Sequence, residues 1–279
     1  MNLISFMSAN FVARQLNYNM PLNQWMAGDA ATQAWFRPLE SFEQRFDELL
    51  GEVADLGFTA IDIWLAHLHP NWATTDHIAL AQTLLAKHNL QVASLAGGFG
   101  NTRDEVERSC LLASALGTTV LGGGSGLLTT DRKLLVAILK HHGVRLGIEN
   151  HPEKSAQELL EKINASDATG DDNSGEGTIG AAVDTGWFGT QGFDAALGLL
   201  ELRDHLFHVH LKDVRAVGGH ETCKLGKGIV HIRQCVEALQ RLGYTGAISI
   251  EHEPEHFDPR EDCRAGLKQV QRWLAEGNQ

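Results

Sequence analysis

One sequence phrase recurs along the chain: an amphipathic helical stretch, a Leu-Gly or His-Gly pair, and a short apolar run rich in β-branched residues. The clearest examples are DLGFTAIDIW (55–64), ALGTTVLGGG (115–124), HHGVRLGIENH (141–151) and RLGYTGAISIEH (241–252). The glycine is typical of a helix C′ position with positive φ, and the run after it is typical of a buried strand. Each phrase therefore predicts a helix that leads through a short loop into a strand.

Four weaker versions of the phrase bring the candidate strands to eight, seven of which follow a plausible helix. They are the N-terminal LISFMS, KHNLQVASLAG (87–97), GTIGAAVDTG (177–186) and HLFHVHLKD (205–213). Eight β/α units in about 250 residues predict a closed (β/α)₈ TIM barrel, with residues 1–279 as one domain. An open doubly wound sheet is the alternative, but no strand leads into a Gly-x-Gly-x-x-Gly loop.

Three segments need separate interpretation. Residues 9–40 follow the first strand and therefore lie on the C-terminal face of the barrel. Their aromatic residues, Tyr18, Trp25, Trp35 and Phe36, either form a lid or pack a local helix. Residues 165–177 precede a strand and predict a solvated loop on the opposite face, and we also expect a solvated loop over 214–228. The helix before the second strand opens with Ser41 and Gln44, whose spacing predicts a capping box.

Composition narrows the possible partners and locations. The 279 residues include 23 Lys and Arg against 35 Asp and Glu, a formal net charge of −12, so we expect no nucleic-acid partner. The N-terminus does not read as a signal peptide, and no apolar run approaches the roughly 18 residues of a membrane span. Four cysteines without Cys-x-x-Cys spacing favour free thiols. We expect a cytoplasmic protein without a membrane contact, and a homo-oligomer is compatible with the sequence.

Candidate chemistry collects at the predicted carboxyl ends of the last four strands. Side chains alternate across a strand, so the apolar residues that face the helices decide which others face the barrel axis. The residues assigned to the helix side are Ile148, Val183, Val209, Leu211, Ile248 and Ile250. The residues that then face the axis at the rim are Glu149, Asp184, His210 and Glu251. The same alternation predicts a buried ion-pair layer one level deeper, formed by Asp62, Arg145 and His208.

Three carboxylates and one imidazole from four successive strands form a mostly oxygen-rich ligand set. Such a set suits one divalent metal ion, Mn²⁺, Mg²⁺ or Co²⁺, and is also compatible with Zn²⁺. A single Asp or His at a strand end is more often a satisfied polar residue, but four on one rim predict a metal site.

The strand ends IENHPE, VDTG, HVHLKD and ISIEHEPE, in this order, resemble the xylose-isomerase-like barrel superfamily. The resemblance covers essentially the whole chain and is most specific after about residue 145. It implies that Glu149, Asp184, His210 and Glu251 hold a divalent metal, and that Glu149 and Glu251 are the catalytic acid and base, as in ketose epimerases of the family. It also implies a small carbohydrate or cyclitol substrate.

The sequence departs from the ketose 3-epimerases of that family at three substrate-clamping positions. Those enzymes have a Glu, a His and an Arg where this chain has Ser155, Trp187 and Ala216. Arg215, one residue away, could substitute for the missing arginine, and a tryptophan suits stacking on a sugar face. We therefore expect substrate contacts from His67, His151, Trp187, Lys212 and Arg215, with His67 favoured over His69.

These features favour a metal-dependent sugar or sugar-phosphate isomerase or epimerase. The chemistry would be proton abstraction next to a carbonyl through a metal-stabilised enediolate. The alternative is an inosose or sugar-acid dehydratase, a lyase with the same metal site. An apurinic-site endonuclease is disfavoured, because Trp187 stands where that class has a metal-binding His and the ends of strands 3 and 4 lack His. A barrel that only binds sugar is disfavoured because both glutamates are present.

Overall fold

Eight parallel strands close into a barrel, which confirms the predicted (β/α)₈ architecture. The computed structural model describes residues 2–21, 24–165 and 177–277. The barrel strands are β1 (Ile4–Met7), β2 (Ala60–Trp64), β3 (Gln91–Gly98), β4 (Val120–Gly124), β5 (Arg145–Glu149), β6 (Ile179–Asp184), β7 (Leu206–Leu211) and β8 (Ile248–Ile250). Each strand pairs with its neighbours in sequence, and β8 closes the ring against β1.

Helices surround the barrel and connect successive strands. They are α1 (Trp25–Phe36), α2 (Leu39–Asp55), α3 (Thr75–Lys87), α4 (Arg103–Ala115), α5 (Leu127–Thr130), α6 (Arg132–His142), α7 (Ala156–Ile163), α8 (Thr185–Thr190), α9 (Ala195–Glu201), α10 (Ile232–Arg241) and α11 (Arg260–Glu276). Short 3₁₀ turns occupy Ser8–Phe11, Arg14–Leu16 and Arg203–His205. A small antiparallel pair, Asp213–Val214 with Thr222–Cys223, follows β7. No helix in the described ranges is long and apolar enough to span a membrane.

Strand alternation places the apolar side chains between barrel and helices, as predicted. The outward-facing residues belong to one buried core: Ile148, Val183, Val209, Leu211, Ile248 and Ile250. In the register, Asp184 lies opposite His210, and His210 lies opposite Ser249. Inward-facing polar residues of β6 to β8 are therefore brought side by side, because the residues between them are held outward by the core.

The predicted buried ion pair forms beneath the rim from two of its three expected members. Asp62 lies 3.0 Å from His208 and accepts hydrogen bonds from Ser5 and Ser94, each at 2.6 Å. Burial by itself would raise the pKa of Asp62, but His208 outweighs it and lowers the value to about 2. The prediction for Arg145 was wrong: its side chain is exposed and its guanidinium lies 4.7 Å from the Phe207 ring centre. Arg145 begins β5 at the open base of the barrel, where its charge stays hydrated.

The predicted capping box of α2 was also wrong. The helix begins at Leu39, so Ser41 lies inside its first turn and donates to the carbonyl of Pro38, while Gln44 donates to Glu48. Pro38 decides the start, because its fixed φ suits the entry into a helix.

Aromatic residues of segment 9–40 contribute both to the core and to the large cavity. Phe36 is buried in the core, whereas Trp25 lines the mouth of a large cavity, with its ring 5.0 Å from that of Trp64. Of the predicted solvated loop, residues 166–176 lie outside the described residues; they include Asp167, Asp171, Asp172 and Glu176. All four cysteines are free and buried.

We expect Asp62→Ala to lower the free energy of unfolding by about 3 kcal/mol, because it leaves His208 and two serine hydroxyls buried without their acceptor. Chemical denaturation with urea measures the change. Asp204→Ala is the control, since that side chain is 77% exposed. An equal effect of the two substitutions would contradict a supporting role for the buried pair.

Candidate metal and sugar site

The carboxyl ends of β5 to β8 bring four side chains to one point on the barrel rim. One potential ligand atom from each lies within 4.8 Å of all the others: Glu149, Asp184, His210 and Glu251. Three of these residues are buried, and the side chain of Glu149 is 13% exposed. The structure thus assembles the four residues that the sequence predicts as metal ligands.

Asp184 is oriented by the turn that follows β6. Its Oδ1 accepts hydrogen bonds from the backbone N–H groups of Gly186 (2.7 Å) and Trp187 (3.2 Å), so it caps α8. The side-chain amide of Asn150 bonds both backbone groups of Asp184. The other oxygen, Oδ2, lies 2.9 Å from the Lys212 ammonium. One carboxylate oxygen therefore fixes the turn and the other faces the site.

His210 stands between the two glutamates. Its Nδ1 lies 3.1 Å from Glu149 Oε1 and 3.0 Å from Glu251 Oε2. Burial disfavours a charged imidazole, but the two carboxylates outweigh burial and raise the pKa of His210 well above its usual value. The glutamates therefore need positive charge between them, which a proton on the imidazole or a cation can supply.

Lys212 is the next inward side chain of this strand, two residues beyond His210. Its ammonium lies 2.9 Å from Asp184 and from Glu251, and 3.0 Å from Glu253. Burial opposes its charge, but the carboxylates raise the pKa of Lys212 well above its usual value. Gly186 makes room for it, because a Cβ there would approach Lys212 Cγ to 2.6 Å. Lys212 is thus a charged residue that holds three carboxylates together.

The donor set fits a divalent cation. Glu149, Asp184, Glu251 and Glu253 share the rim with a single ammonium. Burial and the neighbouring glutamates raise the pKa of Asp184 despite Lys212. Within the described ranges, Asp184 Oδ2 and Glu251 Oε2 are buried and, apart from their charge contacts with Lys212 and His210, accept no hydrogen bond. Such oxygens are costly to bury, and coordination to a hard cation removes that cost.

A cavity of about 1360 Å³ opens above the cluster, with Glu149, His210 and Glu251 at its floor. Three tryptophans stand in its walls: Trp25, Trp64 and Trp187. Trp187 stacks on His220, with ring centres 3.6 Å apart and 12° between the planes. Flat aromatic walls over a polar floor suit a ligand with an apolar face and several oxygens.

The sequence profile of the xylose isomerase-like TIM barrel family matches residues 50–276. The chain belongs to this family. The resemblance predicted from the strand ends is therefore confirmed, and the match spans β2 to α11.

Three solved structures illustrate the range of proteins with this fold. L-ribulose 3-epimerase has a TM-score of 0.70 and 14% identity, covering 100% of this chain and 96% of that one. The "probable 3-DHS dehydratase AsbF" of Bacillus anthracis has a TM-score of 0.65 and 13% identity, covering 97% and 99%. The IOLI protein with a bound zinc atom has a TM-score of 0.66 and 16% identity, covering 99% of each chain. At these identities the likeness concerns the fold.

A curated relative also matches part of the chain. "Uncharacterized protein MJ1311" of Methanocaldococcus jannaschii is 28% identical over 127 residues, which are 43% of this chain and 40% of that protein. The match thus spans less than half the length of that relative.

Three of the five residues predicted to contact substrate line the large cavity: His151, Trp187 and Lys212. His151 is half-exposed, lies 3.6 Å from Glu149 and packs its ring 5.0 Å from that of Trp187. His151 thus contacts both a candidate metal ligand and the aromatic wall.

The structure places His67 behind the cavity wall. Its ring packs against those of Phe36 and Trp64, and its Nδ1 lies 3.2 Å from the Ser8 hydroxyl. Burial lowers the pKa of His67 to about 3, so the imidazole is neutral. In the structure His67 packs against aromatic rings and does not line the cavity. The chain leaves β2 through a turn, so strand alternation no longer tells which way this side chain points.

Arg215 also lies away from the lining of the large cavity. Its side chain is 54% exposed, and its guanidinium donates to Glu221 at 2.6 Å. The small antiparallel pair after β7 directs the chain outward at Val214. Arg215 is therefore held beside the cavity through Glu221, and its predicted substrate contact stays a prediction.

Sequence reasoning passed over Glu253 and His220. Glu253 lines the cavity and accepts from Trp25 at 3.3 Å; burial, with Lys212 opposing, raises its pKa to about 7. It lies two residues beyond Glu251, so the alternation used for the ligands could have found it. His220 lies in the loop predicted to be solvated, yet it stacks on Trp187 and bonds Thr190 at 2.9 Å. Only the path of the folded loop shows that contact.

We expect Mn²⁺ or Zn²⁺ to raise the midpoint of thermal unfolding, and a chelator to reverse the rise. At a metal concentration of about 100 times Kd, the stabilisation is about 2.7 kcal/mol. In Asp184→Asn, Oδ1 still caps α8 but the charged ligand is lost, so metal affinity should fall by at least about tenfold. Asp204→Asn is the control. An unchanged metal response in Asp184→Asn would contradict the assignment.

Proposed function

We propose that this protein is a divalent-metal-dependent isomerase or epimerase of sugars or sugar phosphates, which removes a proton from a carbon next to a carbonyl. One observation carries the proposal: two glutamates, an aspartate and a histidine lie within 4.8 Å of one another beneath a large cavity with aromatic walls. A carbohydrate substrate is supported by the shared fold with L-ribulose 3-epimerase.

The metal would be held by Glu149, Asp184, His210 and Glu251. When bound, a divalent cation supplies a Lewis acid that polarises the substrate carbonyl and stabilises the enediolate. The structural likeness to the IOLI protein with bound zinc supports such an ion here.

Glu149 and Glu251 are the proposed acid and base. One carboxylate takes the proton from the C–H bond while the electron pair moves onto the carbonyl oxygen, and the other group returns a proton. Return to the opposite face of the same carbon is epimerisation, and return to the neighbouring carbon is isomerisation. Burial alone would raise the pKa of both glutamates, but His210 and Lys212 beside Glu251, and His151 and His210 beside Glu149, lower it. These cations favour the ionised form that the base needs, and the group that returns the proton has to enter the reaction protonated.

The remaining cavity residues are proposed to position the sugar. Trp187 lines the cavity; the ring of His220 covers one of its faces, the ring of His151 lies 5.0 Å away, and the remaining surface is proposed to contact the apolar face of a sugar. The ammonium of Lys212 reaches the cavity floor, where it can donate to a substrate oxygen while it keeps Glu251 ionised.

A dehydratase is the second candidate, favoured by one observation. Glu253 borders the same cavity, and burial raises its pKa to about 7, so part of the population carries a proton near neutral pH. Such an acid can protonate a departing hydroxyl after the C–H proton is removed. The fold shared with AsbF is compatible with this lyase chemistry.

We expect the Mn²⁺-loaded protein to exchange substrate C–H for C–D in D₂O when it is offered a panel of ketoses, ketose phosphates and inososes. Glu149→Gln and Glu251→Gln should each slow exchange by about 10²–10⁴-fold, because each removes one proton-transfer group. Proton NMR follows the exchange, and Glu237→Gln on α10 is the control.

Each other outcome has a distinct meaning. Formation of an unsaturated or deoxy product would identify a lyase. Exchange that survives both glutamine substitutions would contradict the proposed acid–base pair.

A further inference from the structure

A second cavity lies beside the first, at the carboxyl ends of β3 and β4, and the proposed reaction makes no use of it. Its volume is about 390 Å³. Gly98, Gly124 and Ser125 line both cavities, so the two cavities adjoin at the ends of β3 and β4. A ligand bound at the metal cluster can therefore extend into the smaller cavity.

Two glycines keep the passage between the cavities open. A Cβ added at Gly98 or at Gly124 would meet no heavy atom within 4 Å. Neither glycine has a positive φ, so the backbone itself does not require glycine at these positions. The missing side chains leave space where the cavities adjoin.

Hydrogen-bond donors line one side of the small cavity. His69 Nδ1 accepts from the backbone N–H of Asn71 at 3.0 Å, and burial lowers the pKa of His69. The neutral ring therefore carries its proton on Nε2, which becomes a donor. Asn71 Oδ1 accepts from Arg108 at 3.0 Å, which leaves the Asn71 amide nitrogen as a second donor.

Acceptors line the other side, at the start of α4. Glu105 Oε2 accepts from the backbone N–H groups of Asn101 (2.8 Å) and Thr102 (3.1 Å) and from the Thr102 hydroxyl (3.0 Å). These bonds hold the carboxylate in place and leave Oε1 as an acceptor. The Asn101 side chain adds an amide that both donates and accepts.

The charge of this lining argues against an anion. Glu105 is its charged residue, and no lysine or arginine is among the residues that line the small cavity in the described chain. A phosphate group carries a charge of roughly −1.5 to −2 at neutral pH. It would meet the Glu105 carboxylate in the lining, and the nearby Arg108 guanidinium is already held on Asn71, whereas neutral hydroxyl groups both donate and accept and match the lining.

We propose that the small cavity is a subsite for a neutral glycosyl unit, and that the substrate is a carbonyl sugar carrying a second sugar rather than a phosphate. The proposal rests on the proposed function, which places the reacting sugar at the metal cluster. It assigns His69, Asn71, Asn101 and Glu105 to recognition of the second unit.

Calorimetry with the Mn²⁺-loaded protein tests the subsite by binding, independently of turnover. The probes are fructose, fructose 6-phosphate and three glucosyl-fructoses: isomaltulose, turanose and leucrose. At least one glucosyl-fructose should bind about tenfold more tightly than fructose, whereas fructose 6-phosphate should bind no more tightly than fructose. His69→Ala and Asn101→Ala should each reduce this difference in affinity. Gly124→Leu should abolish it, because the leucine fills the passage between the cavities. His141→Ala, an exposed histidine on α6, should retain it.

The outcomes separate the two proposals. Three results would each overturn the subsite, whatever the exchange experiment shows. They are that no glucosyl-fructose binds more tightly than fructose, that fructose 6-phosphate binds most tightly, and that His69→Ala and Asn101→Ala both keep the tighter binding of the glucosyl-fructose. Tighter binding that depends on these residues, with no C–H exchange in any probe, would support the subsite and count against the proposed function.

Discussion

The ion pairs of Lys212 are the interaction on which the rim depends. Asp184, Glu251 and Glu253 come from two strand ends and would repel one another at close range if no cation stood between them. Lys212 reaches all three from β7, the strand that also supplies His210. Because the two side chains are two residues apart, one strand places a fixed cation beside the imidazole and thereby organises the carboxylates of its neighbours.

Neutral and backbone contacts outside the rim hold this arrangement. Thr185 bonds both backbone groups of Lys212, at 2.9 Å and 2.8 Å, which locks the end of β7 to the end of β6. Asp213 accepts four backbone N–H groups from residues 226–230 and so anchors the loop that leaves the rim. These contacts help to hold the backbone positions from which the charged side chains reach the rim.

The side chains differ between the two halves of the barrel rim. The four candidate ligands and Trp187 lie at the ends of β5 to β8, whereas the ends of β3 and β4 carry glycines and lead to polar side chains. The two halves of the rim therefore offer different side-chain chemistry.

The sequence by itself determined the barrel and the four rim residues, because both depend on local rules. Glycine-ended helices and apolar runs mark each β/α unit, and strict alternation within a strand states which side chains share a face. The predictions failed where those rules end. Arg145 lies at the open base of the barrel, Ser41 follows the proline that begins a helix, and His67 lies in a turn. Only the tertiary structure decided the partners of Lys212, the stack of His220 on Trp187 and the cavity beside His69, because these depend on how distant loops meet.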